Sequence, residues 1–376
     1  MDLSVYDEIT DGLKRFLRVD EVCRRAAAAR PGLLPSEAEL AAEAGRLQKD
    51  KAGLERRQGD FLSALLADPA RGAHLCQAML LPREDSRQAL EAFRAKGVVQ
   101  LAGAEVRRQG RAAVVTMQNP RFLNAEDEST IPGLETAIDV ATMDDATEVC
   151  VLRGGVVEHP KYAGRRLFGA GINLTHLYQG KIRFLWYILR DLGLVNKLYR
   201  GLASPASPPE VFSYEKPWIA AVEGFAIGGH CQILLVMDYT IAAEDAYMTL
   251  PARKEGIIPG AANLRMPRLA GDRVTRQAIM MERRLPCASP EGRTICDEIV
   301  PAAQMDAAIQ RTVDSLTSSG VVSTAGNRRA LRIVQEPLDS FRRYMSVYAR
   351  EQAHCHLSPA LIANLERNWD AANRRI

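Results

Sequence analysis

EKPWIAAVEGFAIGGHCQ, residues 215–232, is the stretch whose reading decides the fold. Its centre, Trp218–Val222, is a compact apolar run bounded by Pro217 and Gly224, the pattern of a buried strand. The segment ends on Gly228-Gly229 before His230. Glycine lets a backbone turn tightly and brings amide N–H groups up to a ligand. A second such segment, FGAGINL at 168–174, lies upstream. Either alone reads equally well as an ordinary strand-to-helix turn. Together, amides from two loops can converge on one oxygen. Such an oxyanion hole contributes roughly two to three orders of magnitude per donor.

Outward from this stretch, further apolar runs read as strands at Ala112–Met117, Glu148–Leu152 and Met237–Ala243. Asn119-Pro120 turns the chain, and a helix follows through Leu134 and Ile138. Strands alternating with helices give an α/β core. Residues 1–105 read as an all-α region. Ser36 with Glu37 and Glu39 starts a helix. Leu40, Leu47, Leu54 and Phe61 recur at sevens, with Leu65 and Leu66 beyond, as one apolar stripe on a long helix. The repeat is short, which favours a hairpin packed on the main domain over a free coiled coil. Asp85 or Ser86 caps another helix, with Ala89, Leu90 and Phe93 facing inward. Gly201–Glu210 reads as a mobile Pro/Ser-rich loop, and 301–376 as helical again. The expected division is 1–105, 106–300 and 301–376.

Composition sets outer limits. The 376 residues are 47% hydrophobic and 25% charged, with a net charge of +3, which argues against a dedicated nucleic-acid binder. Seven cysteines, an odd number without a CxxC, read as reduced intracellular thiols. The first residues lack an apolar signal region, and no apolar run approaches ~20 residues, so a cytoplasmic protein without a membrane span is expected.

The motifs AAVVTM, Asn119-Pro120, Leu123-Asn124-Ala125, FGAGINL and EKPWIAAVEGFAIGGHCQ occur in that order. Asp238, Ile258-Pro259-Gly260-Ala261 and Leu269-Ala270-Gly271 follow. Over about 106–300 this order resembles the enoyl-CoA hydratase/isomerase, or crotonase, superfamily. The resemblance implies a ββα superhelix core and a C-terminal helical segment that builds trimers or hexamers. It also implies an acyl-CoA thioester as partner, oxyanion amides at Ile172 and Gly229, and Arg166 (with Arg165 beside it) near the CoA phosphates. Against the family pattern, Gln232 and Ala252 stand where hydratases carry their two glutamates, and Asn173 replaces a further acid. An amide does not trade protons near neutral pH, so the expected site holds an enolate and does not hydrate a double bond.

Two insertions add to this. VVEHPKYAGRRL fills 156–167, and the stretch after Asn173 carries Tyr178, Arg183, Trp186, Tyr187, Arg190, Tyr199 and Arg200. That region lines the acyl pocket in the family. Aromatics with arginines suit a polar aromatic acyl group, guanidinium bonding to phenolic oxygen. The plainer alternative is a helix with an aromatic core face and a solvated basic face. Within the superfamily the pattern is similar to a branch that oxygenates a dihydroxyphenylacetyl thioester without metal or flavin. CoA is then part of the substrate and dioxygen the co-substrate. On that resemblance Glu126 bonds a phenol or helps move the α-proton, the alternative being a surface helix-start carboxylate. His159 lies in the insertion and is an active-site candidate or an exposed histidine. Gln232 and Arg190 orient the ring or the thioester. Ile257, Ile258 and Pro259 form a pocket for dioxygen, or plain core. His354-Cys355-His356 is the one dense ligand cluster, but adjacent residues on a helix cannot all face one ion, so no metal is expected. Competing readings are a thioesterase or isomerase of the same superfamily and a non-catalytic acyl-CoA-binding paralogue.

Overall fold

Ala112–Met117 is apolar without alternation because it lies inside a sheet covered on both faces. The computed structural model describes residues 1–162 and 164–374. Its strands are β1 (Val98–Leu101), β2 (Ala104–Gln109), β3 (Ala112–Met117), β4 (Val149–Gly154) and β5 (Trp218–Val222). They continue as β6 (Phe225–Ile227), β7 (Tyr239–Ala243), β8 (Tyr247–Thr249), β9 (Leu285–Pro286) and β10 (Glu298–Val300). The main sheet runs β1-β2-β3-β4-β5-β7-β10, and a small sheet runs β6-β8-β9. β1, β2 and β3 pair antiparallel, and the rest of the main sheet is parallel. Val114 faces Val151, Val151 faces Ile219, and Ala221 faces Ile241, so the buried runs stay in register across the core. Helix Ile131–Met143 packs on β1, β2 and β3. The α/β core with helical flanks therefore stands as read.

Two sequence expectations change. The stretch read as all-α to residue 105 ends in β1 and β2, a hairpin that extends the main sheet. The sevenfold stripe is not one helix. It breaks into helix Glu37–Glu43, a short 3-10 turn at Gln48–Asp50 and helix Arg56–Ala67. The breaks fall at Gly45 and Gly53, with φ of +86° and +78°, which an α-helix does not accept. Ser36 does start its helix, through a capping box with Glu39.

Helix Arg56–Ala67 lies along helix Leu338–His356. The two approach so closely at Gly59 that a Cβ there would run into the Ala353 side chain. Ser346 donates to the Ser63 carbonyl at 2.7 Å, and Arg342 donates to that of Leu66. The N-terminal helices are thus packed on the C-terminal ones, and their joint wall stands beside the segment 184–200 that builds the site.

Candidate active site

The two glycine segments meet. β6 pairs with the first segment through a bridge from Ala226 to Gly169. Gly171 has φ +79°, and a Cβ there would lie 2.8 Å from the Ile227 carbonyl and 3.3 Å from the Gly229 nitrogen. Glu126 brackets Ile172: its amide donates to Gly171 O at 2.7 Å, and its carbonyl accepts from Asn173 N at 2.8 Å. Gly228 (φ +54°) donates to Thr249 O at 2.9 Å, and Gly229 begins helix Gly229–Leu234. Among the described residues, no acceptor takes the amide of Ile172 or of Gly229. First-turn amides of a helix have no partner within it.

His230 explains how the first loop is aimed. The imidazole is fully buried, and Nδ1 accepts the Gly171 amide at 3.0 Å. Burial pushes its pKa down to about 4, so it is neutral and Nδ1 keeps its lone pair. Gly169 has no side chain because a Cβ would strike this ring. The sequence alone gives His230, inside the second glycine segment, no role. Asn173, in the place of an acid, caps helix Leu174–Tyr178 by accepting from His176 N at 3.2 Å. Its Nδ2 donates to Asp127 at 3.0 Å.

Arg190 holds the second loop. It opens a π-helical turn, Arg190–Val195, between helices Phe184–Leu189 and Asn196–Arg200. π-turns are rare and often mark functional sites. Lys197 anchors this one, its Nζ 2.8 Å from both Glu135 and Asp139. The turn aims a guanidinium that is 2% exposed. Nε donates to Glu126 Oε2 at 2.8 Å, Nη1 to Gln232 Oε1 at 3.0 Å and Nη2 to Gly229 O at 2.7 Å. Nη1 also lies 3.4 Å from Asp191. Burial and Arg190's neighbours therefore fix the Gly229 peptide and the Gln232 amide together.

Two cavities open here. An inner chamber is lined by Ile172, Trp186, Tyr187, Arg190, Gly229, Gln232 and the Ile257-Ile258-Pro259 wall, with Ala252 and Glu255. An outer groove runs past Phe122, His159, Tyr162, Ile172 and Trp369. Of the sequence candidates, Ile172, Gly229, Gln232, Arg190 and Ile257 come together in the chamber. His159 is exposed on the groove rim, its Nδ1 accepting from Lys161 N at 3.2 Å. Glu126 lines neither cavity: it is 2% exposed behind Gly229, held by Arg190. Arg166 also lines neither and donates to Gly154 O at 3.3 Å, and Arg165 pairs with Asp245. The cations on the groove are instead Arg121, Lys161, Lys254 and Arg374. Tyr199 and Arg200 leave the site for a buried cluster around Glu336, and Tyr178 and Arg183 turn to Glu366 and Glu128, so only Trp186, Tyr187 and Arg190 of the aromatic stretch face the chamber.

One carboxyl was missed. Glu255, three residues after Ala252, lines both cavities. Residues three apart on a helix share a face, which is the signal that could have found it. Among the described residues, no group of three or more His, Cys, Asp or Glu side chains is arranged to hold a metal, and no helix is long and apolar enough to cross a membrane.

Residues 107–332 match the family model described as enoyl-CoA hydratase/isomerase. The chain is 46% identical over 351 residues to a (3,5-dihydroxyphenyl)acetyl-CoA 1,2-dioxygenase of Amycolatopsis orientalis, covering 93% of this chain and 80% of that one. It is 25% identical over 240 residues to a carnitinyl-CoA dehydratase of Salmonella enteritidis PT4, covering 63% and 84%. In structure it is similar to an enoyl-CoA hydratase from Mycobacterium avium subsp. paratuberculosis K-10, with TM-score 0.59 and 21% identity over 71% of this chain and 98% of that one.

Proposed function

The chain belongs to the enoyl-CoA hydratase/isomerase (crotonase) family, and we propose that it works there as a dioxygenase of (3,5-dihydroxyphenyl)acetyl-CoA. The observation that carries this reading is a site with two unclaimed amides, Ile172 and Gly229, beside Gln232 and Ala252 in place of hydratase acids. The 46% identity to a dioxygenase of that name supports the substrate.

The amides stabilise the thioester oxygen as an enolate, the charge that develops when an α-proton leaves. Arg190 and Glu126 act as positioning residues for the Gly229 peptide. Trp186 Nε1 is a buried donor with no acceptor among the described residues, and it lines the chamber where a phenolic oxygen would lie. Gln232 spends its carbonyl on Arg190 and leaves its amide nitrogen free for the ring. Ile257, Ile258 and Pro259 give an apolar wall for dioxygen. The groove cations Arg121, Lys161, Lys254 and Arg374 suit CoA phosphates.

The enolate gives an electron to dioxygen, and recombination forms a peroxide at the α-carbon. The peroxide attacks the thioester carbonyl and expels CoA thiolate. Loss of the second α-hydrogen as the O–O bond opens leaves the aryl glyoxylate. The electron-rich carbanion supplies the electrons, so this reading needs neither metal nor flavin. Oxygen uptake equal to CoA release, unchanged by chelator, is the expected result with (3,5-dihydroxyphenyl)acetyl-CoA. CoA release without uptake would make the protein a thioesterase, and tight binding without turnover a binding paralogue.

A trimer or hexamer is part of the same proposal. Leu331 and Val334, three residues apart, leave an exposed apolar pair on one face of helix Val322–Gln335, Val334 being 82% exposed, and such a pair suits an interface. Sedimentation equilibrium is expected to give a mass of three or six chains; a monomer would sink this part.

A further inference from the structure

Among the described residues, the inner chamber and the outer groove share two lining residues, Ile172 and Glu255. With the acyl group in the chamber and CoA in the groove, the thioester spans that junction. Ile172 contributes an oxyanion amide there, and Glu255 contributes an acid. Glu255 ends helix Ala252–Glu255, one turn beyond Ala252, where a hydratase carries its acid. It is 8% exposed and makes no side-chain hydrogen bond or ion pair with any described residue. A buried carboxyl without a partner is costly, and fold packing alone gives no reason to keep one.

We propose that Glu255 is the base that removes the α-proton of the bound acyl-CoA, the acid–base duty having moved one helical turn from position 252. This rests on the acyl-CoA reading above but not on dioxygen. The α C–H bond breaks and its electron pair becomes the enolate double bond. The carbonyl π pair moves onto the oxygen facing the Ile172 and Gly229 amides, and the proton goes to the Glu255 carboxylate. When the thiolate later departs, the carboxylic acid returns this proton to sulfur.

The surroundings fit the task. Gln232 cannot trade protons, and Asp191, the other carboxyl on the chamber, lies 3.4 Å from Arg190 and bonds Tyr348. Burial first, and Glu282 second, push the Glu255 carboxyl up to about 8. Arg253 and Lys254 on its own helix turn to Glu282, at 2.8 and 2.9 Å, and do not offset this. From helix Phe184–Leu189, Tyr187 faces it with a phenol that burial keeps neutral. A base whose pKa lies near the working pH is effective against a weak carbon acid.

The test is α-hydrogen exchange into D2O under nitrogen, with full-length protein and (3,5-dihydroxyphenyl)acetyl-CoA, oxygen uptake being measured separately. Only the ionised carboxyl accepts a proton, so wild-type exchange should rise with pH and level off above about 8. Glu255→Gln should lower exchange roughly 10²–10⁴-fold, leave thioester affinity within a few fold, and melt no lower than wild type because the amide replaces an unpaired buried carboxyl of the same shape. Glu255→Asp should recover part of the rate. Exchange by Glu255→Gln at the wild-type rate, or no exchange by wild type on bound thioester, overturns the proposal. Exchange without oxygen uptake leaves Glu255 as the base and removes the dioxygenase reading. A wild type that neither binds nor exchanges the thioester overturns both.

Discussion

Gly229→Ala is expected to lower oxygen uptake on (3,5-dihydroxyphenyl)acetyl-CoA roughly 10²–10³-fold, the scale of losing one oxyanion donor. Alanine keeps the N–H, so the loss comes from displacement. A Cβ at 229 would collide with Glu126 Oε2, and would lie 2.8 Å from Arg190 Nη2 and 3.2 Å from its Cζ. These are not loose side-chain ends. Both groups are buried and bonded to each other at 2.8 Å, and Nη2 also grips the Gly229 carbonyl. The methyl must therefore push the peptide out of line or split the pair. Overpacking of this kind costs about 1–3 kcal/mol of stability, which a protein of this size survives. The neighbouring Gly228→Ala is the contrast: its Cβ has room, the nearest atom being Gly171 Cα at 3.7 Å. Its cost is the strain of φ +54°, about 1–3 kcal/mol, with a smaller effect on turnover. Steady-state oxygen consumption and a melting curve read both variants. Wild-type turnover by Gly229→Ala would remove this amide from the oxyanion hole.

The sequence announced the core strands because each is a continuous apolar run, and β3 and β5 fall at the residues expected. It did not announce β6, β8 or β9, whose two or three residues are too short for any period to register. β1 and β2 were hidden by the helical texture before them, although Ala102-Gly103 between VVQL and AEVRRQ is a two-residue hairpin signal. The sevenfold leucines misled because spacing alone ignored Gly45 and Gly53. In the site, glycines and the Gln232 and Ala252 replacements were legible because they are local in sequence. The Arg190 network was not, since it joins residues 126, 190, 229 and 232 through a π-turn that no pattern marks. Glu126 was picked for its place after Asn124-Ala125; the structure buries it behind Gly229, where it accepts from Arg190. Glu255 escaped because acids were sought only at the family positions 173, 232 and 252.

Arg190→Met should be the most destabilising of the site substitutions, by roughly 3–5 kcal/mol, because it strips the counter-charge from buried carboxylates. Glu126 and Asp191 are each 2% exposed, and Arg190 is the cation that reaches both. The pH dependence has a definite sign. Burial already raises the Asp191 carboxyl, and Arg190 is first among the groups that oppose the rise. Without Arg190 the folded value climbs further above the unfolded 3.8. A raised carboxyl costs nothing below its unfolded pKa and destabilises as pH climbs from there. The stability gap between variant and wild type should therefore be small near pH 4 and widen toward neutrality, as read by urea unfolding across that range. Glu126→Gln in the Arg190→Met background removes one stranded charge and should return part of the lost stability, a coupling that additive behaviour would refute. It should not return turnover, because the Gly229 carbonyl stays unclamped and Gln232 loses the donor at 3.0 Å that fixes its orientation. Stability restored without activity is the outcome that distinguishes a residue positioning the oxyanion loop from one that only holds the core together.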